Sequence, residues 1–201
     1  MREGRTTAVA PETEAAAAAV RAVRLGDREA YGRLVESYQG RVFGLALLMV
    51  RHRSGAEEVT QDTFLRAFTH LDQYDEHRPF YPWIATIAVR LAQNWLRRHA
   101  RVRRHEPTVT EPTDEPATTA DLLDELITDE RGRHLWRSVA GLPSGERMAV
   151  VLYYRDEMKV RDIARALGVT SGTVKTLLFR ARQRLRRALA DAGAMHQEES
   201  T

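Results

Sequence analysis

Residue types able to do covalent chemistry occur in this chain, but not in arrangements that could use them. Its seven histidines are scattered, with no His/Asp/Glu group at metal-ligand spacing and no nucleophile beside a base. There is no cysteine, which excludes disulfides and thiolate metal sites and fits a reducing cytoplasm. A recombinase or nuclease has nothing here to build on, and no metal, cofactor or small-molecule substrate is expected. What the spacing does offer is non-covalent recognition. In residues 160–175, Ala164, Gly168 and Val174 stand at the offsets of a DNA-binding helix-turn-helix. The small residue lets two helices cross closely, the glycine tolerates positive φ in the turn, and the branched residue anchors the second helix. Ile163, Leu167, Val169, Leu177 and Leu178 supply apolar positions around that corner. Such a unit presents one helix to the major groove.

On that second helix, Val174, Leu177, Leu178, Ala181, Leu185 and Leu189 fall in one narrow stripe at helical spacing. Gly172, Thr176, Phe179 and Gln183 lie diametrically opposite, flanked by Thr173, Lys175, Arg180 and Arg187. An outward phenylalanine suits contact with a thymine methyl. Thr176 and Lys175 suit base edges, and Arg180, Arg182 and Arg187 suit phosphates.

A second polar stripe, Arg90, Asn94, Arg97 and Arg101, runs behind an apolar face of Phe80, Trp83, Ile84, Ile87, Ala88, Leu91, Ala92 and Trp95. It reads either as a solvated face or as a surface that tracks phosphates and reads bases. The aromatic residues there read as core rather than as stacking platforms. Net charge is only +3, yet residues 90–104 hold six arginines and no acid. Residues 105–130 hold nine acids and no Lys or Arg, and residues 159–187 hold nine basic residues and one acid. Two basic blocks around an acidic one suggest two surfaces that face nucleic acid and a connector that avoids it.

The elements that must carry these residues follow from periodicity. Residues 1–19 read as a mobile tail running into an alanine-rich helix start. Asp27 caps a helix with Tyr31, Leu34, Val35, Tyr38, Val42, Phe43 and Ala46 inward. Ser54 and Glu57 form a capping-box pattern, and Ala56, Val59, Thr60, Thr63, Phe64, Ala67, Phe68 and Leu71 make the next buried stripe. Its opposite face shows Glu58, Gln61, Asp62, Leu65 and Thr69, either a harmless apolar residue among polar ones or a partner patch with a polar rim. A polar loop follows over residues 72–79. Residues 106–120 are rich in Pro, Thr, Glu and Asp and cannot bury enough surface to offset ordering, so they read as an extended tether. Helical periodicity resumes at Leu122, Leu123, Leu126 and Ile127, and Leu142-Pro143-Ser144 breaks it, with Ser144 expected to cap a helix through Tyr154. No apolar run approaches the roughly 20 residues a membrane span needs, and residues 1–14 lack the apolar core of a secretory signal.

This layout resembles the extracytoplasmic-function (ECF) group of the sigma-70 family, bacterial RNA polymerase initiation factors, over residues 26–190. Residues 56–68 are similar to the family's polymerase-clamp helix. Pro79-Phe80 through Trp83-Ile84, and on to Trp95-Leu96-Arg97-Arg98, is similar to its promoter −10 segment. Leu142-Pro143, Asp162-Ile163-Ala164 and Gly172-Thr173-Val174-Lys175 match its −35-binding domain. The chain departs from the family's common residues at Val89-Arg90, Asn94 and Leu177, positions that bear on base preference.

The resemblance implies partners and roles. Glu58, Gln61, Asp62, Leu65 and Arg66 would bind core RNA polymerase, through its β′ coiled coil, with the β subunit as a further contact. Asp72, Tyr74, Asp75, His77, Phe80, Arg90, Asn94, Arg97 and Arg98 would serve the −10 element, the loop over residues 72–79 capturing a flipped non-template base. Ser171, Gly172, Thr173, Lys175, Thr176, Phe179, Arg180, Arg182, Gln183 and Arg187 would serve the −35 element of promoter DNA. An anti-sigma factor is a further partner that the resemblance allows, and it could hold an otherwise cytoplasmic protein at the membrane.

The expected fold is all-α, two small helical domains joined by a flexible acidic linker, the C-terminal one containing the helix-turn-helix. Its divisions are a mobile tail (1–21), a polymerase and −10 module (22–103), the linker (104–120), a −35 module (121–190) and a C-terminal tail (191–201). A free-standing repressor or activator using the same helix-turn-helix is the competing reading, and it would bind a palindrome without polymerase.

Overall fold

Asp27 begins α2 (Arg28–Val50) as its sequence context predicts, accepting the Ala30 main-chain N–H at 3.1 Å. The structure, a computed structural model, describes residues 11–105 and 130–198. The stretch read as a tail is helical from its eleventh residue. In α1 (Pro11–Arg24), Ala16, Ala17 and Val20 recur on one face and are buried against α2. Alanine loses little side-chain freedom in a helix, so a face this narrow suffices once a partner covers it.

Helix α3 (Arg53–Thr69) starts one residue before the expected capping box. The cap is His52, whose Nδ1 accepts the Gly55 N–H at 3.2 Å, while Glu57 pairs with Arg53 at 3.1 Å instead of reaching back to Ser54. Its inward stripe is as expected through Ala67, but Phe68 is 43% exposed and turns its edge onto Tyr31, 4.9 Å between ring centres. A short 3-10 turn (Leu71–Gln73) and a loop lead to α4 (Phe80–His105). Helix α4 takes in the first two residues assigned to the linker. Residues 106–120 and the apolar positions 122–127 lie outside the described residues.

The C-terminal half comprises α5 (Glu130–Ala140), α6 (Ser144–Val150), one wider π-type turn (Val151–Arg155), α7 (Val160–Leu167) and α8 (Ser171–Glu198). Helix α8 runs through positions expected to be tail from residue 191. Pro143, not Ser144, occupies the N-cap of α6, and no side chain caps it. Gly168 closes α7 in the left-handed region at φ 69°, where a side chain would be strained. Thr170 then caps α8, its Oγ1 accepting the Thr173 N–H at 3.1 Å.

Every regular element among the described residues is helical, in two helical units, as expected. The units also touch. Buried apolar residues continue from α2 and α4 into α6 and α7, and two arginines of the C-terminal half reach main-chain carbonyls of α2. Arg147, 6% exposed, donates to Ala140 O (2.9 Å), Leu142 O (3.0 Å) and Met49 O (3.3 Å). Arg155 donates to Arg41 O at 2.9 Å and to Asp156 at 3.0 Å. Burial, with Arg51 nearby, pushes the Arg147 guanidinium down to about 10. No helix among the described residues is long and apolar enough to cross a membrane.

Candidate polymerase and nucleic-acid interfaces

The outer face of α3 is exposed where the sequence places it. Glu58, Gln61, Asp62, Leu65 and Arg66 all face solvent, and Leu65 is 67% exposed. The face is held from behind. A Cβ on Gly55 would lie 2.5 Å from Trp95 Cζ2, so only glycine lets α4 bring that indole so close. Trp95 then donates through Nε1 to Glu58 at 3.0 Å, Arg98 pairs with the other Glu58 oxygen at 2.9 Å, and His99 stacks on the indole at 3.6 Å. Glu58 is therefore oriented by α4 and leaves Asp62 and Leu65 to stand forward.

The residues expected at the −10 element divide into two groups. Asp72, Asp75, His77, Arg90, Asn94, Arg97 and Arg98 are exposed. Asn94 and Arg97 are hydrogen-bonded to each other. Tyr74 and Phe80 are not surface residues: they are 3% and 1% exposed and pack edge to face at 5.2 Å, with Trp83 and Tyr38 around them. Such an edge-to-face pair adds about 0.5–1.5 kcal/mol beyond its buried area. They support the loop from behind. The Tyr74 hydroxyl donates to Arg78 O at 2.5 Å, and Asp75 both accepts the His77 N–H and pairs with Arg78 at 3.0 Å.

That loop is also held from outside, by a contact the sequence did not disclose. Arg24, the last residue of α1, donates through one terminal nitrogen to Leu71 O (2.8 Å), Asp72 O (3.3 Å) and Tyr74 O (2.8 Å). Its other terminal nitrogen pairs with Glu76, and Arg21 pairs with Glu76 at 3.1 Å. A separation of about 50 positions gives no periodic signal. Beyond the loop, a cavity of about 530 Å³ separates Tyr74, Asp75, Arg78 and Trp83 from Lys159 and Arg161 of the C-terminal half.

On α8, Val174, Leu178 and Ala181 are buried and Leu177 and Leu185 half-buried, whereas Leu189 is 41% exposed. Ser171, Gly172, Thr173, Lys175, Thr176, Phe179, Arg180 and Arg187 are exposed, Phe179 at 59%, and Gln183 is half-buried. Arg182 turns away from the group, donating to the Tyr154 hydroxyl at 2.6 Å with its guanidinium over that ring. Arg184 pairs with buried Glu146 at 3.1 Å, tying α8 to α6.

Comparison with known proteins finds two family regions, one in each helical unit. The model of sigma-70 region 2 matches residues 34–102, and that of sigma-70 region 4 matches residues 133–185. The chain is 30% identical over 171 residues to the ECF RNA polymerase sigma-E factor of Salmonella typhimurium, covering 82% of this chain and 88% of that one. The chain belongs to the ECF sigma factors of the sigma-70 family. It directs RNA polymerase in promoter recognition and transcription initiation, and it is not an enzyme. This sigma factor is also 33% identical over 169 residues to the probable RNA polymerase sigma factor RfaY of Xanthomonas campestris pv. campestris. That match covers 82% of this chain but only 41% of the length of that relative. Among solved structures, CnrH in complex with the cytosolic domain of CnrY is 26% identical with a TM-score of 0.58, covering 90% of this chain and 97% of that one. Helix α1 precedes the matched part of region 2.

Proposed function

We propose that this sigma factor divides its work among three surfaces: α3 grips core polymerase, the loop after it and the polar face of α4 read the −10 element, and the outer face of α8 reads the −35 element. Glu58, Gln61, Asp62, Leu65 and Arg66 form the polymerase patch. Asp72, Asp75 and His77 line the base-capturing loop, and Arg90, Asn94, Arg97 and Arg98 lie along the adjoining strand path. Ser171, Gly172, Thr173, Lys175, Thr176, Phe179, Arg180, Gln183 and Arg187 enter or flank the major groove. Opening the DNA needs no covalent step, because capture of an extruded base offsets the few kcal/mol lost in unstacking it. Two elements read by one chain also gain from effective concentration. The domain divisions at 22–103 and 121–190, action in the cytoplasm, and restraint by an anti-sigma factor belong to the same reading. CnrH, solved in complex with the cytosolic domain of CnrY, supports the last of these.

The observation that carries the reading is Leu65, two-thirds exposed at the centre of a polar rim whose Glu58 is held in place from α4. Replacing Asp62 and Leu65 together by Arg tests it. Core-polymerase affinity should fall about tenfold or more, and binding of the full chain to −35 duplex should not change. Equal loss of both would overturn the division into surfaces. A chain that binds a palindrome alone and initiates nowhere with core enzyme would favour the repressor reading.

A further inference from the structure

We propose that α1 is a splint for the −10-reading loop, with Arg24 as the positioning residue that sets the loop's shape and so its choice of base. The proposal rests on the assignment of residues 72–79 to base capture. Four features support it.

The acceptors are main-chain atoms. Leu71 O, Asp72 O and Tyr74 O all turn toward one guanidinium nitrogen, which requires the backbone of the loop's first half to curl around that point. Side chains in a loop are aimed by its backbone, so the directions of Asp72 and Asp75 are fixed with it. One terminal nitrogen serves these carbonyls while the other holds Glu76, a span that the two ends of a guanidinium fork can make and the single point of a lysine ammonium cannot.

The second half of the loop is held by the same helix. Glu76 accepts from Arg24 and, at 3.1 Å, from Arg21, and Arg21 is in turn paired with Glu14 at 3.0 Å. Arg21 is pulled toward the charged form by hydrogen bonds to Glu14 and Glu76. The loop is thus tied to one helix at Leu71, Asp72 and Tyr74 and again at Glu76, on either side of Asp75.

The loop's inner wall is already rigid. Tyr74 is wedged between Phe80 and Trp83 and donates to Arg78 O. With that side packed, the outer side is the one where conformation remains to be chosen, and α1 covers it. Ordering a capture loop before the base arrives removes an entropic cost from binding, and a fixed pocket rejects a wrong base that a pliant one would accommodate.

Helix α1 has one other visible task, to cover α2 with Ala16, Ala17 and Val20. Its exposed residues include none assigned to polymerase or DNA, and its contacts go to α2, α4 and the turn before the loop.

The test uses holoenzyme reconstituted from core polymerase and the full chain. Its probe is a forked DNA with a duplex upstream arm and a randomised six-nucleotide non-template overhang. Bound molecules are captured and sequenced, and wild type is expected to enrich one base at the captured position about tenfold. Arg24→Ala should reduce that preference to within about twofold, with core affinity unchanged and the melting temperature lowered by only a few degrees. Arg24→Lys keeps the positive charge but cannot reach the carbonyls and Glu76 at once, and should lose most of the preference too. Glu76→Gln leaves α1 packed and should give a partial loss, so the idea can be judged even if Arg24→Ala folds poorly. Undiminished preference in Arg24→Ala or Arg24→Lys overturns the splint. Asp75→Ala serves as the control for the premise. If it too leaves base preference intact, base capture by this loop is wrong and the proposal falls with it; if it alters preference while the Arg24 variants do not, only the splint is wrong.

Discussion

The guanidinium of Arg155 crosses from the C-terminal half and donates to the main-chain carbonyl of Arg41 at 2.9 Å. A Cβ on Gly44 would approach the same guanidinium to 3.0 Å, so the arginine lies flat on α2 at a point where the helix has no side chain. Together with Arg147 on Met49 O it joins the two helical units while α7 packs on α4. Removing Arg155 leaves Asp156, 5% exposed, without its partner, a cost of about 1–3 kcal/mol. Arg155→Ala should therefore lower the unfolding midpoint and, by loosening the seam, raise the radius of gyration measured by small-angle scattering. An unchanged radius would mean that apolar packing alone holds the halves.

Two glycines should respond in opposite directions to the same substitution. At Gly55 an added methyl would meet the Trp95 ring at 2.5 Å, so Gly55→Ala should cost about 1–3 kcal/mol and disturb the indole's bond to Glu58. At Gly40, within α2, nothing lies within 4 Å, and Gly40→Ala should stabilise by about 0.5–1 kcal/mol. Urea denaturation of the two variants beside wild type decides both.

Alkaline pH should destabilise the protein in a defined window. Burial, with lesser help from Glu12, pushes the Tyr38 phenol up to about 12, and burial, with Asp75 and Glu76, does the same for Tyr74. Below pH 10 both phenols are neutral, folded or unfolded, and contribute no pH dependence. Between pH 10 and 12 the unfolded chain releases protons that the folded one retains, so stability falls as pH rises. Absorbance near 295 nm should show these tyrosines ionising together with unfolding. Tyr38→Phe, which removes one such phenol, should flatten the decline.

Arg180→Ala should weaken binding to −35 duplex across sequences and reduce the slope of log affinity against log salt by about one, because a phosphate contact releases a counterion. A change confined to one base position would instead make Arg180 a base reader. Arg182→Ala should leave that slope almost unchanged, since this side chain is engaged with Tyr154.

How far the sequence could be read depended on whether a residue's role is local. The recognition face of α8 and the outer face of α3 follow from helical spacing, and Phe179 and Leu65 are exposed where spacing puts them. Asp27 capped its helix because Asp is a common cap. His52 gives no comparable signal beside Ser54, because an imidazole caps helices less often. Tyr74 and Phe80 differ in kind: spacing already puts Phe80 on the core face, the resemblance alone gives both a place at the −10 element, and their burial against Tyr38 and Trp83 is seen only in the packing. The seam and the splint were invisible because Arg147, Arg155 and Arg24 have the composition of surface residues. Their acceptors are main-chain carbonyls, which every position possesses.

That choice of acceptors separates the protein's two kinds of adhesion. Phosphate contacts weaken steeply as ions are added, since their strength is largely that of released counterions. Arg147, donating to the buried Leu142 and Met49 oxygens, is screened far less. Brine that strips this sigma factor from promoter DNA should leave its halves joined, so concentrated salt is a reagent for isolating the folded-together molecule and not one for prying it apart.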